Sequence, residues 1–277
     1  VFFKGCPLSC VWCHNPESQS GRPELMLREN RCIGCGACAA QCPQHAITVA
    51  DRAATNRTLC RCCGACLDCC PAEAREIVGR SITIEAVLQE IERDRPFYQQ
   101  SGGGVTLSGG EPLAQAEFTR QLLRACKERG IYTALDTCGY AEWAILDQVR
   151  QCVDLFLYDL KIMQDARHIS AVGASNRLIL ANLVRLAHLE HNIIVRVPII
   201  PGFTDDSENL TSLSAFVKSL PHPVAVDILP YHAIAAEKYS RLGRAYALPH
   251  LLTPDGDEMS RIKSFMEQFD IAVNIGG

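Results

Sequence analysis

The distribution of cysteine limits what this chain can fold into more than any other feature of its sequence. Sixteen cysteines occur in 277 residues, and thirteen of them lie before residue 71 in three tight groups. Thiolates that are only two or three residues apart can converge on one metal centre, whereas disulfide scaffolds are short secreted chains with cysteine spread throughout. The pattern therefore predicts metal sites in a reducing, anaerobic compartment rather than a disulfide framework.

The second and third groups form an internal repeat, offset by 28 residues, in which each run follows C-x2-C-x2-C-x3-C-P and contains CGAC. Two-cluster bacterial ferredoxins bind [4Fe–4S] clusters with this run, and its fourth cysteine ligates the other cluster. We therefore expect two clusters, one on Cys32, Cys35, Cys38 and Cys70 and the other on Cys60, Cys63, Cys66 and Cys42. Cys62 and Cys69 fall outside the pattern. A pair of zinc sites is the alternative, although zinc needs neither the cysteine triple nor the following proline.

The first group, in GCPLSCVWCHNPES, places Cys6, Cys10 and Cys13 as C-x3-C-x2-C, and no fourth cysteine follows before residue 32. Three thiolates on a four-iron cluster leave one iron without a protein ligand, and an open coordination position is typical of a catalytic metal site. The side chain of Trp12 would lie against whatever binds that iron. A zinc site completed by His14 is the alternative.

This first motif, C-x3-C-x-aromatic-C, resembles the signature of the radical S-adenosylmethionine (SAM) enzymes. The resemblance implies that the amino and carboxylate groups of SAM chelate the open iron. It also implies that the reduced cluster passes one electron to the sulfonium, which yields methionine and a 5′-deoxyadenosyl radical. The cofactor carries the difficult chemistry in such enzymes, and the protein supplies position and shelter.

Beyond residue 80, apolar strands alternate with amphipathic helices, which favours a parallel sheet covered by helices. We expect strands at VFFKG, 105–108, 131–136, 154–160, 193–200 and 224–230, with a short last strand in IAVNI. We expect helices near 81–94, 117–130, 141–151, 176–190, 207–220 and 255–268. Six such units are too few to close an eight-stranded barrel, so the predicted fold is α/β, an open partial (β/α)6 barrel of the TIM type. Its expected parts are 1–24 (first strand and cluster loop), 25–80 (inserted ferredoxin-like domain) and 81–277 (remainder of the barrel).

Polar residues follow five consecutive predicted strands, at the end where barrels of this kind collect their active sites. They are Gly109, Gly110 and Glu111, then Asp136 and Thr137, then Asp159 and Lys161, then residues 198–202, then Tyr231 and His232. Each alone has a structural explanation, such as a turn, a helix cap or a solvated charge. Five such groups at five strand ends favour a binding site, because function gathers on loops that a rigid scaffold holds.

A closer resemblance covers almost the whole chain. WCHNPES, RPFYQQSGGGVTLSGGEPL, LYDLK, HISAVGASN, RVPIIPGFTDD and LPYH resemble the activating enzymes of glycyl radical enzymes, relatives of the pyruvate formate-lyase activase. The ferredoxin-type insertion resembles the larger subset of that family, which serves lyases and dehydratases. The resemblance implies hydrogen abstraction from a glycine of a partner glycyl radical enzyme, with a flavodoxin or ferredoxin as electron donor.

The same resemblance implies roles for individual residues. Cys6, Cys10 and Cys13 would bind the catalytic cluster, with Trp12 and His14 near the adenosine. Gly109, Gly110 and Glu111 would receive the methionine amino group, and His232 would contact the nucleoside. The methionine and ribose end, with a monovalent cation near the carboxylate, would be held by Asp136, Asp159 and Lys161. With the two auxiliary clusters, the expected cofactors are three [4Fe–4S] clusters and SAM.

Composition narrows the remaining possibilities. The net charge is −4 without a basic run, which argues against nucleic acid, and no apolar stretch is long enough to span a membrane. We expect a cytoplasmic monomer. The chain opens at Val1 inside a strand, and the family's upstream D-G-P-G-x-R segment is absent, so we expect truncation at the N-terminus.

Two other functions compete with this one. An iron–sulfur electron carrier would need neither the first cysteine motif nor the polar residues at the strand ends. A radical SAM enzyme with another target, such as a sulfatase maturase, would typically carry its auxiliary cysteines toward the C-terminal end, where residues 153–277 have none.

Overall fold

The computed structural model describes residues 1–276 and has an α/β architecture. The strands are β1 (Phe2–Phe3), β2 (Glu24–Leu27), β3 (Ile47–Val49), β4 (Ala53–Thr55), β5 (Arg75–Val78), β6 (Gly104–Gly109), β7 (Tyr132–Thr137), β8 (Leu155–Asp159), β9 (Ile193–Ile199), β10 (Ala225–Pro230) and β11 (Val273–Ile275). The helices are α1 (Ala37–Ala40), α2 (Ala65–Asp68), α3 (Ile84–Arg93), α4 (Arg95–Ser101), α5 (Ala116–Glu128), α6 (Trp143–Arg150), α7 (Asp165–Val172), α8 (Arg177–His188), α9 (Ser207–Lys218), α10 (Ala235–Arg241) and α11 (Gly256–Glu267).

Seven strands form one sheet in the order β1-β6-β7-β8-β9-β10-β11, and every neighbouring pair is parallel. Each strand predicted for the barrel is present in this sheet. One face of its central strands is fully buried, as Leu135, Phe156 and Val195 show by being inaccessible to solvent, and the opposite face of β8 and β9 is half-buried. The α/β fold expected from the alternating pattern is therefore confirmed, with β1 and β11 at the two ends of the strand order.

All six helices predicted beyond residue 80 are present, and local sequence explains several of their ends. Thr83, Asp206 and Asp255 each cap a helix N-terminus by accepting a backbone N–H bond with the side chain. Three further helices, α4, α7 and α10, were not expected, because none shows a long apolar periodicity. In the part of the chain that the structure describes, no helix has the length and apolar character needed to cross a bilayer.

Residues 24–78 contain two small antiparallel pairs, β2 with β5 and β3 with β4, which lie outside the large sheet. The repeat seen in the cysteine spacing extends to the backbone of this segment. Residues with positive φ occur in pairs 28 positions apart, namely Gly34 and Cys62, Gly36 and Gly64, and His45 and Glu73. Cys62 occupies the position that matches Gly34. Its backbone therefore follows the repeat, although its side chain lies outside the ligand pattern.

The segment that contains α10 connects the cysteine-rich insertion to the first cysteine loop. Lys238 pairs with Glu17 of that loop at 2.6 Å, while Arg241 pairs with Glu76 at 2.5 Å. Arg244 pairs with Glu24 at 2.5 Å. Three cations on one segment therefore bind three carboxylates that come from two different parts of the chain.

Candidate active site

The loop that carries Cys6, Cys10 and Cys13 is attached to the carboxyl end of β6 by backbone hydrogen bonds. The N–H of Gly110 donates to the carbonyl of Phe3 and that of Glu111 to the carbonyl of Gly5, both at 2.8 Å. A Cβ on Gly110 would overlap the carbonyl oxygen of Gly5 and lie 2.8 Å from that of Ser18. Glycine is required here because the cysteine loop packs directly on the end of the strand.

The C-terminal end of α7 holds the other side of the loop. The N–H groups of Ser9 and Val11 donate to the carbonyls of Val172 and Ala171, at 2.8 Å and 3.0 Å. These carbonyls belong to the last turn of the helix, where carbonyl groups have no N–H partner within the helix. The unexpected helix α7 thus fixes the backbone on both sides of Cys10, the second cysteine of the motif.

A cavity of about 470 Å³ opens at the carboxyl ends of the strands, beneath this loop. Its volume lies in the range of small-molecule sites. All twelve residues predicted to surround the catalytic cluster and SAM line this one cavity: Cys6, Cys10, Trp12, Cys13, His14, Gly109, Gly110, Glu111, Asp136, Asp159, Lys161 and His232.

Alternating charges cross the floor of the cavity. Arg196, on β9, lies with Nη1 3.4 Å from Oδ2 of Asp136 and with Nε 3.4 Å from Oδ1 of Asp159. Lys161 places Nζ 3.1 Å from the other oxygen of Asp159, and the hydroxyl of Ser108 donates to Asp136 at 2.6 Å. Oδ1 of Asp159 and Nε of Arg196 are buried and contact each other as an ion pair, but neither makes a hydrogen bond among the described residues, so a polar ligand could complete their hydrogen bonding.

Burial dominates the electrostatics of this row. Burial and the neighbouring charge of Asp159 together raise the pKa of Asp136 to about 6, against the opposing charge of Arg196. Burial would lower the pKa of Lys161, but the nearby Asp159, Cys10 and Cys138 together outweigh that effect and raise it. Lys161 is therefore a fixed cation in the cavity, whereas Asp136 titrates close to neutral pH.

Glu111 is almost completely buried, and its carboxylate is already used by the chain. Oε1 accepts hydrogen bonds from the N–H of Leu113 at 3.0 Å and from the hydroxyl of Thr137 at 2.7 Å. Oε2 accepts from the N–H and the thiol of Cys138, both at 2.9 Å. The side chain thus ties the end of β6 to the end of β7.

The three cysteines of the first motif fit a multi-iron cluster better than a single ion. Burial raises the pKa of Cys6 to about 11 and of Cys10 to about 12, so these thiols stay protonated at neutral pH unless a metal binds them. Within residues 1–276, no three His, Cys, Asp or Glu side chains approach closely enough to hold one metal ion. A four-iron cluster needs a wider spacing, because each thiolate binds a different iron.

Aromatic side chains form one wall of the cavity. The ring of Trp12 packs against Phe203 with centroids 5.4 Å apart, and the ring of His14 lies 5.8 Å from that of Tyr231. The hydroxyls of Tyr231 and Tyr246 are hydrogen-bonded at 2.8 Å. A flat ligand group would find stacking partners on this side of the cavity.

The remaining cluster cysteines are brought together in two smaller cavities of the insertion. One is lined by Cys32, Cys35, Cys38 and Cys70, and the other by Cys42, Cys60, Cys63 and Cys66. These sets are the ones expected when the fourth cysteine of each run crosses to the other cluster. The N–H groups of Ala46 and Ala74 donate to the sulfurs of Cys42 and Cys70, each at 3.4 Å, and such bonds suit cluster thiolates. Cys62 also borders the second cavity, and Cys69 packs in the small core beside both.

Sequence reasoning missed Arg196, Ser108 and Cys138, which also line the large cavity. A signal was available for Arg196, because it is the one charged residue in the apolar strand IIVRVPII. Cys138 directly follows Asp136 and Thr137 in LDTCGY, and no sequence pattern marked the cysteine itself as a site residue.

Family comparisons agree with this geometry. The model of the Radical SAM superfamily matches residues 57–213, more than half of the chain, and the model of the 4Fe-4S binding domain matches residues 26–48. Among solved structures, a domain of pyruvate-formate lyase-activating enzyme from Bacteroides vulgatus is 32% identical, with a TM-score of 0.54, and the match covers 63% of this chain and 99% of that one.

Curated relatives match over nearly the full length. The trans-4-hydroxy-L-proline dehydratase activating enzyme of Clostridioides difficile is 44% identical over 100% of this chain and 93% of its own length. The choline trimethylamine-lyase activating enzyme of Oleidesulfovibrio alaskensis is 41% identical over 99% of this chain and 91% of its own. The benzylsuccinate synthase activating enzyme of Thauera aromatica is 35% identical over 100% and 87%. The chain therefore belongs to the radical SAM superfamily and, within it, to the activating enzymes of glycyl radical enzymes.

Proposed function

We propose that the large cavity holds a [4Fe–4S] cluster on Cys6, Cys10 and Cys13 and binds SAM at the iron these cysteines leave open. The observation that carries the proposal is the position of the three thiols, which share one cavity with the polar ends of the parallel strands. When bound, the reduced cluster supplies the electron that cleaves SAM, and the resulting 5′-deoxyadenosyl radical removes a hydrogen atom from a glycine of the partner enzyme.

The residues of the chain orient the bound SAM and exclude water. We propose that Asp136, Asp159 and Lys161 hold the methionine and ribose end, since all three residues line the cavity. The backbone at Gly109 and Gly110 would receive the amino group. Glu111 would act mainly through Thr137 and Cys138, which its carboxylate fixes. A monovalent cation would bind at Asp136 and Asp159 once Arg196 turns from them to the ligand.

The aromatic wall suits the nucleoside. Trp12, His14 and His232 line the cavity, with the ring of His14 beside that of Tyr231, and we propose that they contact the adenosine. Burial lowers the pKa of His14, and the nearby charges of His232 and Lys238 lower it further. A neutral His14 can stack on an adenine ring without placing a charge against it.

We propose that the insertion, residues 25–80, carries two further [4Fe–4S] clusters and relays electrons from a flavodoxin or ferredoxin. What supports this is the gathering of its eight pattern cysteines into two cavities of four. We further propose that the enzyme is a cytoplasmic monomer that acts on its partner glycyl radical enzyme without nucleic acid. The free state of all sixteen cysteines and the net charge of −4 support that setting.

The experiment is anaerobic reconstitution with iron and sulfide, followed by iron analysis and an assay for 5′-deoxyadenosine. We expect about twelve irons per chain and reductive cleavage of SAM. Cys13→Ala should lose cleavage, while the control Cys69→Ala, outside both ligand patterns, should keep it. A Cys13→Ala protein that cleaves SAM at the native rate would contradict the proposal.

A further inference from the structure

One arginine of the insertion is buried without a carboxylate. Arg75, the first residue of β5, is 6% exposed, and its Nη1 donates to the hydroxyl of Thr55 at 2.9 Å. Its Nη2 is buried and has no hydrogen-bond partner, and no Asp or Glu among the described residues forms an ion pair with it. An uncompensated buried charge is strongly unfavourable, so this guanidinium requires a negative partner that the side chains do not supply.

Arg75 lies between the two sets of cluster cysteines. It lines the cavity of Cys32, Cys35, Cys38 and Cys70. Ile77, two residues further along the same face of β5, lines the cavity of the other set. One buried cation therefore lies beside both sites.

We propose that Arg75 is the shared counter-ion of the two auxiliary clusters and raises the reduction potential of both. The inference rests on the proposed function, which places those clusters in the insertion. Four thiolates give each cluster a net negative charge, and reduction adds one more electron. A buried cation that cannot lose its proton stabilises the reduced form more than the oxidised form. The insertion thereby accepts electrons more easily than its burial and thiolate charge alone would allow.

The test is a redox titration followed by electron paramagnetic resonance on the full chain. Cys6, Cys10 and Cys13 are replaced by Ala in every arm, so that only the auxiliary clusters contribute. Arg75→Gln removes the charge, and Arg75→Lys keeps it. Arg52→Gln is the matched control, because Arg52 is exposed and lies between β3 and β4 of the same insertion. Iron is measured in each protein before titration.

We expect Arg75→Gln to lower the ratio of reduced to oxidised cluster at least about tenfold at a fixed ambient potential, which is about 59 mV for one electron. Arg75→Lys should recover most of that ratio, and Arg52→Gln should change it less than about threefold, because solvent screens its charge. Equal potentials in Arg75→Gln and the parent, at equal iron content, would overturn the proposal.

Two further results would also count against the counter-ion role. If Arg75→Lys lowers the ratio as far as Arg75→Gln, the hydrogen bonds of the guanidinium, and not its charge, set the reduction potential. If neither variant takes up the iron that the parent does, Arg75 is needed to build the sites rather than to tune them. A parent that itself binds no auxiliary clusters would contradict the proposed function instead, and the iron analysis separates that result from the others.

Discussion

At the scale of single residues, Arg196 is the centre of the polar row in the cavity. Its guanidinium lies 3.4 Å from a carboxylate on each side. Among the described residues that line the cavity, Arg196 is the only arginine. Without it, Asp136 and Asp159 would face each other as two partly buried carboxylates. Removing one member of a buried charge pair leaves the others uncompensated and is costly.

We therefore expect Arg196→Gln to lower the free energy of unfolding by on the order of 2 kcal/mol, and to weaken SAM binding at least about tenfold. Arg93→Gln is the control, because Arg93 pairs with Glu90 on the exposed face of α3 and should cost less than about 0.5 kcal/mol. Denaturant unfolding and equilibrium SAM binding measure the two effects. If the two variants behave alike in both assays, the assigned role of Arg196 is wrong.

We expect Asp136 to make SAM binding depend on pH. Its pKa is raised to about 6 by burial and by Asp159, while Arg196, Ser108 and Lys161 oppose that rise. If the ionised carboxylate holds the ligand, binding lowers that pKa. Affinity is then complete above the raised value and is lost as the pH falls through about 6.

We expect the reconstituted enzyme to bind SAM progressively more weakly from pH 7 down to pH 5.5, whereas Asp136→Asn should bind weakly and evenly across that range. Asp147→Asn, on the outer surface of α6, should retain the parent profile. Equilibrium binding at each pH provides the measurement. A parent-like pH profile in Asp136→Asn would assign the titration to another group.

At the scale of secondary-structure elements, the end of β6 is where the cysteine loop meets the sheet. The sequence GGE suggested that glycine lets a ligand approach the backbone. The structure gives the two glycines another reason, because a Cβ at Gly110 would strike the loop at Gly5 and Ser18. The same contacts place the cysteines above the cavity, so a shift of the loop moves the cluster relative to SAM.

Gly110→Ala should therefore lower the rate of SAM cleavage by roughly a hundredfold, the order expected for a displacement of about 1 Å at a reacting centre. Gly256→Ala is the control, since its added Cβ meets nothing within 4 Å at the first turn of α11. Single-turnover formation of 5′-deoxyadenosine measures the change. A Gly110→Ala enzyme as fast as the control would show that the loop tolerates the shift.

The barrel elements could be predicted because their apolar periodicity is strong. The grouping of polar residues at the carboxyl ends of the strands could be predicted because the strands are parallel. Helix α7 could not, since its eight residues carry no such pattern and its role appears only in space. Its last carbonyls accept hydrogen bonds from Ser9 and Val11, about 160 positions earlier in the chain. The motif HISAVG is one of those that resemble the activating enzymes. The packing of Gly173 on Ser9 gives a physical reason for the glycine that ends it.

At the scale of the whole molecule, the insertion and the barrel are linked through α10. Lys238 binds the cysteine loop and Arg241 binds the insertion, so one short helix contacts both metal-binding parts. The spacing of the cysteines predicted which four line each small cavity of the insertion, and their ligation of auxiliary clusters stays a prediction. The spacing did not reveal Arg75, which is one ordinary arginine in the sequence and is distinguished only by its burial.

The proposed relay makes a prediction about electron supply. Replacing Cys35 and Cys63 by Ala removes one ligand from each auxiliary site. With a strong chemical reductant, we expect SAM cleavage to continue within about twofold of the parent rate, because the catalytic cluster is intact. With reduced flavodoxin, the rate should fall at least about tenfold. Equal losses under both reductants would mean that the insertion is structural.

Transfer of a labelled hydrogen atom tests the central claim most directly. The partner glycyl radical enzyme is prepared with glycine deuterated at the α-carbon and is mixed anaerobically with the reduced, reconstituted enzyme and SAM. We predict one deuterium in the 5′-deoxyadenosine, together with a glycyl radical signal on the partner. Product 5′-deoxyadenosine without deuterium, formed while the partner shows no radical, would contradict the assignment.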